Sequence, residues 1–188
     1  MPQENVRDVS TGVFIETERL ILRGWQSSDA AGYCRLNADE EVMEFFPATL
    51  TEKESLAHIN RMKRHIAEKG YGLFALERKQ DGAFIGFTGL STPGFDAFFT
   101  PCTEIGWRLD KKYWNKGYAS EAAGACLRFG FEELKLDRIY SFTAVSNTRS
   151  ENVMKRIGMH HAGFFEHPLL AETHPLRRHV LYKLEAPL

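Results

Sequence analysis

The sequence predicts an α/β (α+β) fold, one sheet with helices on both faces. Three observations carry this. Seven strand-length apolar runs and four helical stretches, a further short one at Glu40–Phe45 aside, follow one another in the order β α α β β β α β α β β. The helical stretches repeat apolar residues every three or four positions, and the β runs are short and rich in β-branched and aromatic residues. No internal repeat or low-complexity segment interrupts the pattern, and 188 residues suit one domain, taken as 1–188.

In chain order, residues 1–12 are polar and read as a loosely held N-terminal segment. Val13–Ile15 and Arg19–Trp25 are β-prone, with Leu20–Arg23 read as the first strand. Ser27-Ser28-Asp29 signals a helix start, with Ala30, Tyr33, Cys34 and Leu36 following at helical spacing. A second short helix is expected over Glu40–Phe45, stopped by Pro47. Thr51 and Glu54 form a capping-box pattern. The amphipathic helix behind them, with Leu56, Ile59 and Ile66, ends at Lys69-Gly70. Gly72–Glu77 and Ala83–Leu90 read as strands joined by an Asp81-Gly82 hairpin turn.

Ser91–Pro101 is a loop whose Phe residues either touch a substrate or fold back on one another. Glu104–Leu109 is a strand, and a helix over Ala119–Leu134 has a first half made almost wholly of small residues, so it can lie close to a sheet. Arg138–Ala144, Met159–Glu166 and Arg178–Leu184 are the last strands, with a short helix over Glu151–Ile157 closed by Gly158.

The bulk chemistry excludes several classes. With 24 basic and 25 acidic residues the formal net charge is -1, which argues against general nucleic-acid binding. Cys34, Cys102 and Cys126 are odd in number and lack CxxC spacing, so they read as reduced thiols of a cytoplasmic protein. No apolar run reaches the ~18–20 residues of a membrane helix, and no signal-peptide pattern opens the chain.

The stretch Thr103–Ala123, TEIGWRLDKKYWNKGYASEAA, organises the rest. A strand, a glycine turn and a helix N-terminus make an anion site, because free N–H groups and the helix dipole point the same way. Lys111, Lys112 and Lys116 add positive charge for phosphates, or else form a solvated basic loop.

Together with TERLILR at Thr17–Arg23 and NTRSENVMKRIGM at Asn147–Met159, this stretch resembles the GNAT acyl-CoA N-acyltransferases, more narrowly the RimJ/RimL type of ribosomal-protein N-acetyltransferases. The resemblance runs from Glu16 to Tyr182. It implies a GNAT fold, a mixed, mostly antiparallel and splayed sheet, with acetyl-CoA as the cofactor and no metal.

By that resemblance Asn115, Lys116, Gly117, Tyr118, Ala119 and Ser120 grip the pyrophosphate, with Trp114 in the place of the family's usual polar residue. Ile105, Gly106 and Trp107 align the pantetheine arm and hold the thioester oxygen. Asn147 contacts the arm or caps the next helix. Ser150 binds the cofactor and protonates the departing thiolate; alternatively a water does so, or no acid is needed. Met154 stands where many relatives carry a tyrosine acid. Glu104 is the first choice as general base, with Glu166 and His167 as alternatives.

Trp25, Phe45, Phe46 and His179 are acceptor-side residues, or in the case of the aromatics plain core. His160, His161, His167, His174 and His179 cluster late in the chain without any metal-ligand spacing. The expected activity is transfer of acetyl to a primary amine, either a protein N-terminus or a small molecule, by direct attack in a ternary complex. The alternative is an acyl-CoA-binding sensor that has lost turnover. Neither nucleic acid nor membrane is an expected partner, and a homodimer is compatible with the resemblance.

Overall fold

The computed structural model describes residues 12–187, so the expectation for the N-terminal segment falls almost wholly outside the described residues. Eight strands form one open sheet: β1 (Val13–Glu16), β2 (Leu20–Arg23), β3 (Leu73–Arg78), β4 (Ala83–Ser91), β5 (Glu104–Leu109), β6 (Arg138–Ala144), β7 (His160–Glu166) and β8 (Arg178–Glu185). Their spatial order is β1-β2-β3-β4-β5-β6-β8-β7. Four helices accompany them: α1 (Asp29–Ala38), α2 (Glu52–Lys69), α3 (Tyr118–Glu132) and α4 (Thr148–Arg156). Every neighbouring pair is antiparallel except β5 and β6, which are parallel.

Two expectations need correction. Val13–Glu16 is a strand of its own, paired with β2, so the sheet has one strand more than the sequence pattern predicted. Glu40–Phe45 is a series of turns and not a helix. Asp39 Oδ1 accepts from the N–H groups of Glu41 and Val42, at 3.0 and 3.3 Å. That local side-chain bond offers the backbone an alternative to helix.

Both faces of the sheet are covered. On one, α1 and α2 pack through Tyr33 and His58 against Trp25 and Phe87. On the other, the small residues of α3 let it lie against the sheet. Ala122, Ala123 and Cys126 are fully buried, and a Cβ on Gly130 would come within 2.7 Å of Ile139 Cδ1 and 3.1 Å of Leu90 Cδ1. An alanine at Gly130 would therefore force the Ile139 and Leu90 side-chain ends to shift. The α2 start carries the full capping box, with Glu54 N–H donating to Thr51 Oγ1 and Thr51 N–H donating to Glu54 Oε2.

A second aromatic cluster forms beside the far half of the sheet. Phe95 and Phe99 from the loop after β4 pack on Phe142 and Phe165. The loop thus folds back on its own rings, and only Phe98 is strongly exposed.

Where β5 meets β6 the sheet opens. The ladder between them has one residue pair, Glu104 with Tyr140, whereas β5 pairs with β4 along its whole length. The two strands diverge beyond that point, and this gap positions the site.

Candidate active site between the splayed strands

A cavity of about 960 Å³ runs through the gap. Its walls come from β5, the turns at 41–47, the N-terminus of α3, the far half of β6, α4 and the loop between β7 and β8.

Peptide direction alternates along a strand, so each residue's N–H and C=O point the same way. Thr103 C=O accepts from Tyr140 N–H at 2.9 Å, and Ile105 C=O accepts from Ser141 Oγ at 3.0 Å. Both therefore face β6. By alternation the Trp107 peptide faces β6 as well, at a point where the ladder has ended. Gly106 C=O points the other way and accepts from Thr88 Oγ1 at 2.8 Å.

At one end lies the N-terminus of α3. Gly117 is its N-cap with φ 79, a left-handed conformation that favours glycine, and no side chain caps the helix. A Cβ there would stand 3.3 Å from Arg19 Nη2. Asn115 is also left-handed, with φ 58. The first N–H groups of a helix have no intrahelical partners, so this end presents donors and positive dipole to the cavity. Asn115, Gly117, Tyr118, Ala119 and Ser120 all line it.

The loop is braced from the start of the sheet. Arg19 Nη1 donates to Lys116 C=O at 2.9 Å, and its Nε donates to Glu121 Oε2 at 2.6 Å. Glu121 also accepts from Thr17 Oγ1 at 2.6 Å and from Arg19 N–H at 2.9 Å. Arg19 further stacks on Tyr118 at 4.6 Å. Thr17 and Arg19 of the opening motif thus tie the glycine turn to the start of β2.

The lysines expected beside the phosphates are placed otherwise. Lys111 pairs with Asp39 and Glu41, Lys112 pairs with Asp110, and Lys116 donates to the Lys112 carbonyl. None of the three lines the cavity; the cations that do are Arg108, Arg149 and Arg156. The sequence reading missed these, since an isolated arginine carries no spacing signal.

Asn147 is the N-cap of α4: its Oδ1 accepts from Ser150 N–H at 3.1 Å and its Nδ2 donates to Thr143 Oγ1 at 3.0 Å. The Ser150 side chain lines the cavity. Met154 is fully buried and does not line it, so that helix position faces the core and not the gap.

At the other end Glu104 lines the cavity on the strand face it shares with Gly106 and Arg108. Burial pushes its carboxyl up to about 8, only partly offset by Ser91. Of the alternatives, His167 lines the cavity, while Glu166 pairs with Arg177 outside it. Phe45, Phe46 and His179 line the cavity as expected. Trp25 does not: it is fully buried in the core and donates from Nε1 to Leu73 C=O at 2.7 Å, which removes it from the acceptor set.

His58, unremarked in the sequence, also lines the cavity. Its Nδ1 shares a 2.5 Å hydrogen bond with Tyr33 Oη. Burial, then the Arg108 and Arg61 charges, lower its pKa to about 4, so it is neutral at pH 7. The late histidines form no metal cluster among the described residues.

The comparisons with known proteins agree with this geometry. The family model of the acetyltransferase (GNAT) domain matches residues 19–160. The chain is 37% identical over 154 residues to YnaD of Bacillus subtilis, an uncharacterized N-acetyltransferase, covering 81% of this chain and 85% of that one. It is 33% identical over 138 residues to an FsC-acetyl coenzyme A-N(2)-transacetylase of Aspergillus fumigatus, covering 70% of this chain and 58% of that one. A crystal structure of a GNAT-family acetyltransferase from Bacillus anthracis superimposes with a TM-score of 0.77 at 30% identity, covering 92% of this chain and 98% of that one. The splayed strands, the glycine turn at a helix N-terminus and these matches together show that the chain belongs to the GNAT acetyltransferase family.

Proposed function

We propose that the protein transfers the acetyl group of acetyl-CoA to a primary amine by direct attack in a ternary complex. The observation that carries this is the single cavity, which joins an anion-binding helix N-terminus at Gly117 to a carboxyl group at Glu104 through a gap in the sheet. The residues present fit acetyl-CoA. The α3 N–H groups and Arg156 suit phosphates, and the free edge of β5 at Trp107 suits an amide-bearing arm.

The bound thioester supplies an activated acyl carbon with a good leaving group. Around it, Glu104 accepts the proton that the attacking amine gives up as the C–N bond forms and the C–S bond breaks. Trp107 N–H donates to the thioester oxygen as charge develops there. Asn147 holds α4 in place and Ser150 presents its hydroxyl near the departing sulfur. Arg19 and Glu121 keep the Gly117 turn in register.

The RimJ/RimL-type assignment, a cytoplasmic location and a homodimer stay within this proposal; the motif blocks TERL, WNKGYASEA and NTRSENVMKRIGM support the first. The sensor alternative drew on Met154. That residue belongs to the core, so its lack of an acidic proton says nothing about lost turnover.

The test is incubation with acetyl-CoA and a panel of small amines and N-terminal peptides, read by release of free CoA. Turnover with any member supports the reading. Acetyl-CoA binding without turnover across the panel favours the sensor, and no acetyl-CoA binding sinks both.

A further inference from the structure

We propose that the acceptor is a small amine that also bears a carboxylate, and that Arg108 is the group that binds this carboxylate. The inference rests on the acetyl-transfer reading above and narrows its acceptor.

Arg23 is buried and Arg108 half-buried, and their surroundings differ. Arg23 is answered by two acids: its guanidinium bonds both oxygens of Asp29, at 2.8 and 2.9 Å, and Glu77 Oε2 at 2.7 Å. Arg108 has no carboxylate within 4.0 Å among the described residues. Its Nη1 donates to Asn37 Oδ1 at 2.6 Å, a neutral acceptor. Its Nε is buried with no partner among the described residues. Phe46 stacks on the guanidinium at 3.9 Å and Phe87 lies at 5.5 Å, so aromatic rings flank it. Nη2 makes no hydrogen bond among the described residues and is not sealed off as Nε is, and Arg108 lines the cavity.

A desolvated cation is costly unless it is paired, and a guanidinium fork matches a carboxylate in two parallel bonds. The chain holds such a cation unpaired in the cavity where the acceptor must enter. The neighbouring acids do not neutralise it: Glu41 pairs with Lys111, and Glu104 is held largely uncharged at neutral pH by burial. Its charge is felt instead by His58, whose protonation it opposes. Arg108 and Glu104 lie on one face of β5 with Gly106 between them, so an acceptor anchored at Arg108 lies along the strand toward the carboxyl that takes its proton. The aromatic wall at Phe45, Phe46 and Phe87 suits an apolar body between the two polar ends.

The experiment uses matched pairs at saturating acetyl-CoA: lysine and cadaverine, phenylalanine and phenethylamine, 6-aminohexanoate and pentylamine, with O-phosphoethanolamine and ethanolamine as a phosphate arm. In at least one pair the acid is expected to exceed the decarboxylated amine by about 100-fold in kcat/KM, as sites built around a buried polar partner discriminate. Arg108→Gln is expected to collapse that ratio while acetyl-CoA affinity, measured by calorimetry, stays unchanged. Asn37→Asp places an acid against the guanidinium with little change of shape and is expected to collapse the ratio as well, which covers the case that Arg108→Gln does not fold.

Preference for the bare amine, a ratio that survives Arg108→Gln, or preference for the phosphate member overturns the assignment. Absence of turnover with every small amine, beside turnover of an N-terminal peptide, overturns it and leaves acetyl transfer standing. Absence of turnover with both classes strikes the acetyl-transfer reading itself.

Discussion

At the Gly117 end of the cavity the groups offered to a ligand are backbone N–H groups, placed by one glycine and one helix start. At the Arg108 end they are side chains, drawn from the turns at 41–47, α2, β5 and the loop before β8. The first arrangement is local in sequence and independent of side-chain identity. The second depends on residues that meet only after folding, each of them replaceable. An element built from backbone suits a ligand part that does not vary. An element built from scattered side chains suits a part that does. Changes at the two ends should therefore separate cleanly into loss of carrier affinity and loss of turnover or acceptor choice.

The largest effect is expected at Glu104, at the end of the cavity away from Gly117. Glu104→Gln should lower kcat/KM for the acceptor by about 10²–10⁴-fold, the usual worth of a general base, with acetyl-CoA affinity unchanged. Its carboxyl is pushed up to about 8 by burial, so the wild-type rate rises as pH passes through that value and the base ionises. With an acceptor whose amine titrates well away from 8, the variant should lose this limb.

Stability gives an independent reading. A carboxyl whose folded pKa is raised keeps its proton in the folded state while the unfolded chain has already lost it. The folded state is therefore penalised progressively between about pH 4.5 and 8. Gln carries no such penalty, so the variant should gain thermal stability relative to wild type at pH 8 more than at pH 4.5. A profile and melting difference unaltered by the substitution would remove Glu104 from the role.

Gly117→Val tests the carrier end. A β-branched residue at φ 79 is strained, and its Cβ meets Arg19 Nη2 at 3.3 Å. Acetyl-CoA affinity should fall by about 100-fold, as strain, displaced N–H groups and a filled cradle act together. Normal affinity in a folded variant would show that the phosphates bind elsewhere.

The difference between the ends also governs what the sequence reveals. Strand β5 and strand β6 are read with their observed bounds, and the capping box at Thr51 and Glu54 and the glycine closure at Gly70 are as expected. These depend on neighbours within a few positions. The glycine turn and helix start at Gly117 are legible for the same reason. Glu40–Phe45 misleads because a single side chain, Asp39, competes with the helix for N–H groups. Lys111, Lys112 and Lys116 look like phosphate ligands by proximity in sequence, yet their ammonium groups point to Asp39, Glu41, Asp110 and a carbonyl. Trp25 follows a strand as an acceptor residue would, but its indole finds Leu73, far away in the chain, and completes the core. Arg108 and His58 give no local signal; their meaning is what does and does not surround them.

A smaller effect is expected at Arg19, which acts on the carrier end from outside the cavity. Arg19→Met removes the side-chain donors to Lys116 C=O and Glu121 and keeps an unbranched apolar stem. Acetyl-CoA affinity should drop by about tenfold, comparable to losing one charge-assisted hydrogen bond that positions a binding element, while the acceptor KM is unchanged. An equal loss in acceptor KM would mean that the two ends are mechanically coupled through α3.

The smallest effect is expected at Ser150, where the two ends meet. Its backbone N–H is committed to Asn147, and its hydroxyl is the part that faces the gap. Met154 is turned into the core, so no tyrosine-like acid can reach the sulfur from that position of α4. A thiol with a pKa of about 8.5 is a competent leaving group without a proton, so the hydroxyl contributes only a hydrogen bond to the departing charge. Ser150→Ala should then reduce kcat by about tenfold or less, in line with one such bond. Acetyl-CoA affinity should not change, because the phosphate site proposed above lies at the Gly117 end. Single-turnover measurement at saturating acetyl-CoA isolates the chemical step. A loss of 10³-fold there, on the scale of general acid catalysis, would make Ser150 the acid and place its hydroxyl among the groups that turnover requires. A drop in carrier affinity instead would move it to the Gly117 side of the comparison.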